Sequence, residues 1–322
     1  MTATDVVKVV RARDLAALKK VEAKLIGHPQ VLGELGRMAW VTGMKVAGQR
    51  GVNWNQMWRS YLPLHAAIQE DPHHAGGTSA EREEAVRWLV ANGADVEAQA
   101  AWPPARAIVI ACFTGVRAYV DALLGVCQQD GFVWSALGDV ARVKKLLRKD
   151  PGFAVARGDG GLTALMVACA SRMDGAASLE LTKLLLQAGA EVGATTPSWR
   201  HVTDAIYYSA GAGHKEIFRL LLEAGADATG ALLPAMWNED LEYGEMCLAF
   251  GGKLDLAREG EKPLLNEMIR WGRVKQALWM LEHGASPELA DERGWTARDQ
   301  AESRGNRRMI EAVQKARGRR PA

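Results

Sequence analysis

The segment Gly272-Arg273…Leu281-Glu282-His283-Gly284-Ala285, continued by Gly294-Trp295-Thr296-Ala297, is one copy of a phrase about thirty-three residues long that recurs along the chain. Leu162-Thr163-Ala164-Leu165-Met166-Val167-Ala168-Cys169 followed by Leu181-Thr182-Lys183-Leu184-Leu185-Leu186-Gln187-Ala188-Gly189-Ala190 is a second copy. Further copies begin at Leu64-His65-Ala66-Ala67 and at Ser209-Ala210-Gly211-Ala212-Gly213-His214, the latter running on to Leu220-Leu221-Leu222-Glu223-Ala224-Gly225-Ala226-Asp227. Each part of the phrase has a mechanical reason. A threonine oxygen accepts from the free N–H groups at a helix start, small alanines let neighbouring helices approach, and leucines fill the groove behind them. Glycine ends the second helix by taking a positive φ without a Cβ clash. The expectation is an all-α solenoid of helix-turn-helix units joined by short β-hairpin fingers.

On these motifs the chain resembles the ankyrin repeat family, whose pattern is TPLHxAAxxGH, a helix ending LLLxxGAD, and a loop. Aligning the frame places cap positions at Thr4, Leu62, Arg106, Thr163, Asp204 and Thr296, with further ones near Glu34, Gln129, Ala231 and Pro263. That is about nine or ten units. Residues 28–57 fit poorly, and the glycine loop expected after Leu123-Leu124 is missing, so irregularity is predicted in the N-terminal region and near residues 125–132. The organisation read from this is atypical N-terminal capping helices over 1–61, repeats over 62–128 with a long insertion at 69–83, and repeats over 129–322 ending in a capping repeat and a basic tail. A second insertion is expected over Arg172 to Leu179.

A chain of 322 residues exceeds what one compact core supports, and a stacked array escapes that limit. Hydrophobic content of 48% with 24% charged residues fits a soluble protein, and no apolar run approaches the roughly 18 residues of a membrane span. With no secretory signal visible, a cytoplasmic location is expected. A net charge of +2 argues against nucleic acid as partner. Cys112, Cys127, Cys169 and Cys247 lack CxxC spacing and read as packing residues in a reducing compartment. Asp71, His73 and His74 lack further ligands nearby, so neither metal nor cofactor is expected. Gly158-Asp159-Gly160-Gly161 reads as a hairpin turn rather than a phosphate loop.

Eleven tryptophans against five tyrosines and five phenylalanines give the strongest functional signal, because tryptophan is enriched at binding hot spots. Trp58, Trp102, Trp199 and Trp295 fall on fingers; Phe113, Tyr208, Arg270 and Trp271 fall on inner-helix positions that face the same groove. Trp40, Trp134 and Trp237 align with the small-alanine positions, so either the register differs there or the solenoid bends, and a bent solenoid can enclose a pocket. Trp88 and Trp279 fall on outer helices as core.

Three readings follow. The resemblance implies a binding module that recognises a protein or peptide through a tryptophan-lined concave face, with Arg200, Arg270 and Glu267 as orienting charges; bacterial free-standing arrays of this kind include immunity and accessory proteins for a neighbouring gene's product. The second reading is a site for a small apolar or cationic ligand among Trp199, Tyr207, Tyr208, Trp237 and Trp271, where Asp204, Glu239, Asp240 and Glu267 would act if it were catalytic. No GxSxG, HExxH, P-loop or GxGxxG feature supports a known reaction, so binding is expected over catalysis. The third is a self-assembling scaffold built on an apolar N-terminal patch of Trp40, Met44, Trp54, Met57 and Trp58.

Overall fold

The computed structural model describes residues 1–69, 76–101, 103–197, 202–256 and 262–317. It is helical, with only short two-stranded hairpins between helix pairs. By internal packing the chain divides into two compact units, residues 1–191 with 196–202, and residues 192–195 with 203–322.

In the first unit the inner helices Pro29–Arg37, Pro63–Ile68, Ala107–Thr114, Gly131–Leu137 and Ala164–Ala170 lie side by side in that order. Behind them Val41–Gly48 packs on Ser79–Ala91, which packs on Arg117–Leu124, and Val140–Lys149 packs on Gly175–Gln187. The helix Ala3–Arg11 closes the N-terminal side against Pro29–Arg37. Ala107 to Cys112 and Ala164 to Ala170 are buried without a break, as expected of short helices covered on both flanks. Finger geometry is clearest where Gln99–Ala100 pairs antiparallel with Ala105–Arg106. In the second unit Ala205–Ala212 packs on Leu232–Trp237 and Leu264–Arg270 packs on Ala297–Ser303, backed by Lys215–Glu223, Glu242–Ala249, Val274–Glu282 and Arg307–Arg317.

Most caps fall where the frame places them. Leu62, Arg106, Thr163, Asp204, Ala231, Pro263 and Thr296 are N-caps, and the Asp204 carboxylate accepts from the Tyr207 N–H at 2.9 Å. Three expectations are corrected. The first helix is capped by Thr2 rather than Thr4, in a box with Asp5. Glu34 lies inside the helix Pro29–Arg37, which His28 caps through its ring nitrogen, and Asp130 rather than Gln129 caps Gly131–Leu137 by accepting from Phe132 and Val133. In each case the residue that caps has extended backbone angles and a side chain that reaches a free N–H of the first turn.

The insertions are also shorter than expected. Thr78 and Glu81 form a capping box that starts a helix at Ser79, inside the expected loop, and Asp174 starts one at Gly175. Residues 70–75, which contain Asp71, His73 and His74, lie outside the described residues. Trp40 precedes the helix Val41–Gly48 instead of lying in an inner helix, so the register differs there; a Cβ at Gly43 would stand 2.4 Å from its ring.

Helix Pro29–Arg37 carries a glycine at Gly36 although glycine costs about 1 kcal/mol in a helix. Its reason is a close crossing, since a Cβ there would lie 2.2 Å from the Pro63 carbonyl oxygen. The obstacle is backbone and has no rotamer to escape into. Gly36→Ala is expected to destabilise the first unit by about 1 to 3 kcal/mol despite its better helix propensity. A urea midpoint at or above that of the parent chain would refute the close-packing account.

Candidate interaction surface

The second unit presents a braced aromatic cluster. Trp271, at the end of helix Leu264–Arg270, is 47% exposed, and its indole N–H donates to Glu267 at 3.0 Å. The ring of Trp237 meets it edge-on with centroids 5.7 Å apart. Two guanidiniums flank the pair, Arg270 at 5.4 Å from the Trp271 ring and Arg273 at 5.2 Å from the Trp237 ring. Arg270 is itself held by Glu267 at 3.0 Å. Rigid indoles alternating with cations are already ordered before a partner arrives, so less side-chain entropy is lost on binding. Trp237 is the last residue of its helix and half-buried, which lets its ring project past the neighbouring helix instead of forcing it away.

The other residues expected at the site are distributed. Tyr207 and Tyr208 are half-buried and meet edge-on at 5.8 Å; burial raises both hydroxyls, that of Tyr208 to about 12, and Tyr208 bonds Thr203 at 3.1 Å. Trp295 is 38% exposed and lines a cavity of about 240 Å3 with Arg270, Arg293 and Arg304. Trp102, Trp199 and Arg200 lie outside the described residues. In the first unit Trp58 and Phe113 line one cavity of about 1110 Å3.

The candidate acids are occupied with structural work. Asp204 caps a helix, Asp240 is ion-paired with Lys215 and falls below the ordinary carboxylate range for that reason, and Glu267 holds Trp271 and Arg270. The Glu239 side chain is 92% exposed. Cys112, Cys169 and Cys247 are buried and Cys127 is half-buried, all as free thiols; burial pushes Cys112 and Cys247 up to about 12. Among the described residues no His, Cys, Asp and Glu group has metal-site geometry, and no helix is long and apolar enough to cross a membrane.

The N-terminal patch does not form as expected. Trp40, Met44 and Trp54 are core residues, 7%, 0% and 4% exposed, and only Met57 and Trp58 reach the surface. Trp88 meets Trp54 edge-on at 5.3 Å, and Trp279 is buried, so both outer-helix rings pack as expected.

Several contributors escaped the sequence reading. Arg59, Tyr61, Arg11, Arg37 and Arg172 also line the larger cavity. The Trp58-Arg59-Ser60-Tyr61 turn was the available signal, because a finger carrying two aromatics and a cation resembles a contact tip more than a packing element.

Paired helices stacked in rows and joined by hairpin fingers define a repeat solenoid. Over residues 78–231 the repeats are ankyrin repeats: the family model of that description matches there in three copies. Such repeats are in general protein–protein interaction modules. The chain is similar in structure to an ankyrin repeat domain from Acinetobacter baumannii (27% identity, TM-score 0.47, covering 58% of this chain and 96% of that one). It is also similar to the human ASB11 ankyrin repeat domain (19% identity, TM-score 0.44, 81% and 100% covered). A chain from the complex of a predatory endopeptidase of Bdellovibrio bacteriovorus with an immunity protein is similar at 22% identity and TM-score 0.47, with 58% and 98% covered. No curated protein sequence matches the chain.

Proposed function

We propose that the chain is a protein-binding module in which the Trp237–Trp271 pair, flanked by Arg270 and Arg273, anchors a protein or peptide partner. The observation that carries this is the exposure of Trp271 in a cluster whose every neighbour is fixed by a bond or a ring contact. Tryptophan and arginine dominate interface hot spots, and a ring needed only for packing would be covered. Within the same unit, Tyr207, Tyr208 and Trp295 extend the proposed contact surface, and Trp58 and Phe113 offer contact residues on the first unit.

Trp271→Ala is expected to weaken partner binding about 10- to 30-fold, equivalent to roughly 2 kcal/mol, while leaving thermal stability nearly unchanged. Affinity capture with the parent chain, mass-spectrometric identification, and titration of that partner against the variant provide the measurement. Unchanged affinity, or a melting loss typical of a core residue, would remove the anchor role.

A further inference from the structure

The first unit contains a second, chemically different site. Its cavity of about 1110 Å3 is walled by helices Ala3–Arg11, Pro29–Arg37, Pro63–Ile68 and Ala107–Thr114 and by the turn from Trp58 to Tyr61. Its described lining carries four arginines, Arg11, Arg37, Arg59 and Arg172, against one carboxylate, Glu34. In a chain of 40 cationic and 38 anionic residues that local excess is not a reflection of overall charge. Apolar surface lies beside it, from Trp58 and Phe113.

Two features set Arg11 and Arg59 for a ligand rather than for the fold. Glu34 is 8% exposed and accepts from Arg11 Nε at 2.8 Å and Arg37 Nε at 3.0 Å. Burial raises this carboxyl, yet the hydrogen bonds from Arg37 and Arg11 outweigh it and hold Glu34 below its ordinary value. One ionised carboxylate therefore orients two guanidiniums, and Arg11 uses only its Nε for it in the bonds described. Arg59 is exposed on the turn that lines the cavity and has φ of 56°, a backbone region that a glycine would occupy without cost. Among the described residues it has no carboxylate partner, so the strained turn holds an unpaired cation against the described wall of the cavity.

We infer that this cavity receives an acidic segment of a protein partner, its carboxylates on the arginines and an aromatic or aliphatic side chain against Trp58 and Phe113. The inference rests on the protein-binding reading and adds the chemistry of what is bound. A half-open cavity of about 1110 Å3 has room for a stretch of chain. Arginines with aromatic rings also suit single-stranded nucleic acid. Here, however, the cations line one cavity with a buried carboxylate of its own, whereas a strand-binding groove has cations tracking along its length and no anion among them.

The test is fluorescence anisotropy on the full chain with a fluorescein-labelled hexapeptide, Asp-Phe-Glu-Glu-Trp-Asp, and its counterpart with lysine at every acidic position. The acidic peptide is expected to bind at least about 10-fold tighter than the lysine peptide, and more weakly as salt rises. Arg59→Glu, a change on an exposed turn, is expected to weaken it by about 10-fold or more, with Arg59→Gln intermediate and Trp271→Ala without effect. Equal binding of the lysine peptide, insensitivity to both Arg59 variants while circular dichroism shows them folded, or displacement by oligothymidylate at equal concentration would each overturn the inference. A captured partner that is lost on Trp271→Ala but indifferent to Arg59→Glu would overturn it while leaving the protein-binding reading intact.

Discussion

Replacing Arg106 with leucine is expected to destabilise the first unit by about 3 to 5 kcal/mol, the usual consequence of removing one partner from a buried ionic network. The Arg106 side chain is 7% exposed and joins three segments of the chain: Nε to Asp159 at 2.7 Å, Nη2 to Asp130 at 2.7 Å, and Nη1 to Glu97 at 3.4 Å. Its backbone N–H also donates to Asp159 at 3.0 Å, and Nη1 donates to the Gln128 carbonyl at 3.2 Å. Asp130 and Glu97 are exposed enough to regain water when the guanidinium goes, but Asp159 is 13% exposed and would be left charged and short of donors. Most of the loss therefore belongs to Asp159. Urea unfolding followed by circular dichroism measures it, and Asp159→Asn in the Arg106→Leu background should recover a large part. A single variant within about 1 kcal/mol of the parent chain would show that the network contributes no net stability.

The second large effect is one of pH. His65 is fully buried, and its Nε2 lies 2.9 Å from the Ala105 carbonyl, which can only accept, so Nε2 carries the proton. Nδ1 is buried without a hydrogen-bond partner. Burial therefore lowers the imidazole from 6.5 to about 4, against smaller opposing effects of the Ala105 bond and Asp95. Between these values the unfolded chain binds a proton that the folded chain refuses, so stability falls as pH drops from about 6.5 towards 4 and levels off below. The full effect is about 3 kcal/mol, of which about 2 kcal/mol is lost between pH 7.5 and 5. Denaturant midpoints across that range should slope for the parent chain and flatten for His65→Gln. Equal slopes would mean that His65 does not govern acid sensitivity.

Much of the fold was legible because leucine, alanine and glycine placement answers to local rules. Short inner helices need small residues, outer helices need a leucine stripe, and the glycines at positions 138 and 213 take φ of 78° and 83° after their helices, as the repeat requires. Legibility failed where a cap could be supplied by more than one nearby residue, as at Thr2, His28 and Asp130, because the competition is settled by backbone angles that the residue types alone leave open. The Arg106 network joins carboxylates 9, 24 and 53 positions away, and no periodicity announces such a link. It also gives the missing loop near residue 125 a physical explanation. Gln128 and Asp130 are tied to Arg106, and the Gln128 N–H donates to Glu97, so ionic bonds hold the segment that a glycine turn would otherwise shape.

The site was less legible than the fold. Aromatic placement singled out Trp271 and Trp237, but their mutual edge-on contact depends on Trp237 ending its helix rather than lying mid-way. The cavity arginines come from two helices, a turn and the loop between Ala164–Ala170 and Gly175–Gln187, and only the Glu34–Arg37 pair has a spacing that sequence can flag.

The buried thiols give the molecule built-in reporters. Cys112, Cys169 and Cys247 occupy three different helices, Ala107–Thr114, Ala164–Ala170 and Glu242–Ala249, and none is reachable by an alkylating reagent while its layer stays shut. Mass spectrometry of the parent chain under slow alkylation would time the opening of each layer separately, with no label introduced, and so would record whether the array breathes layer by layer or all at once.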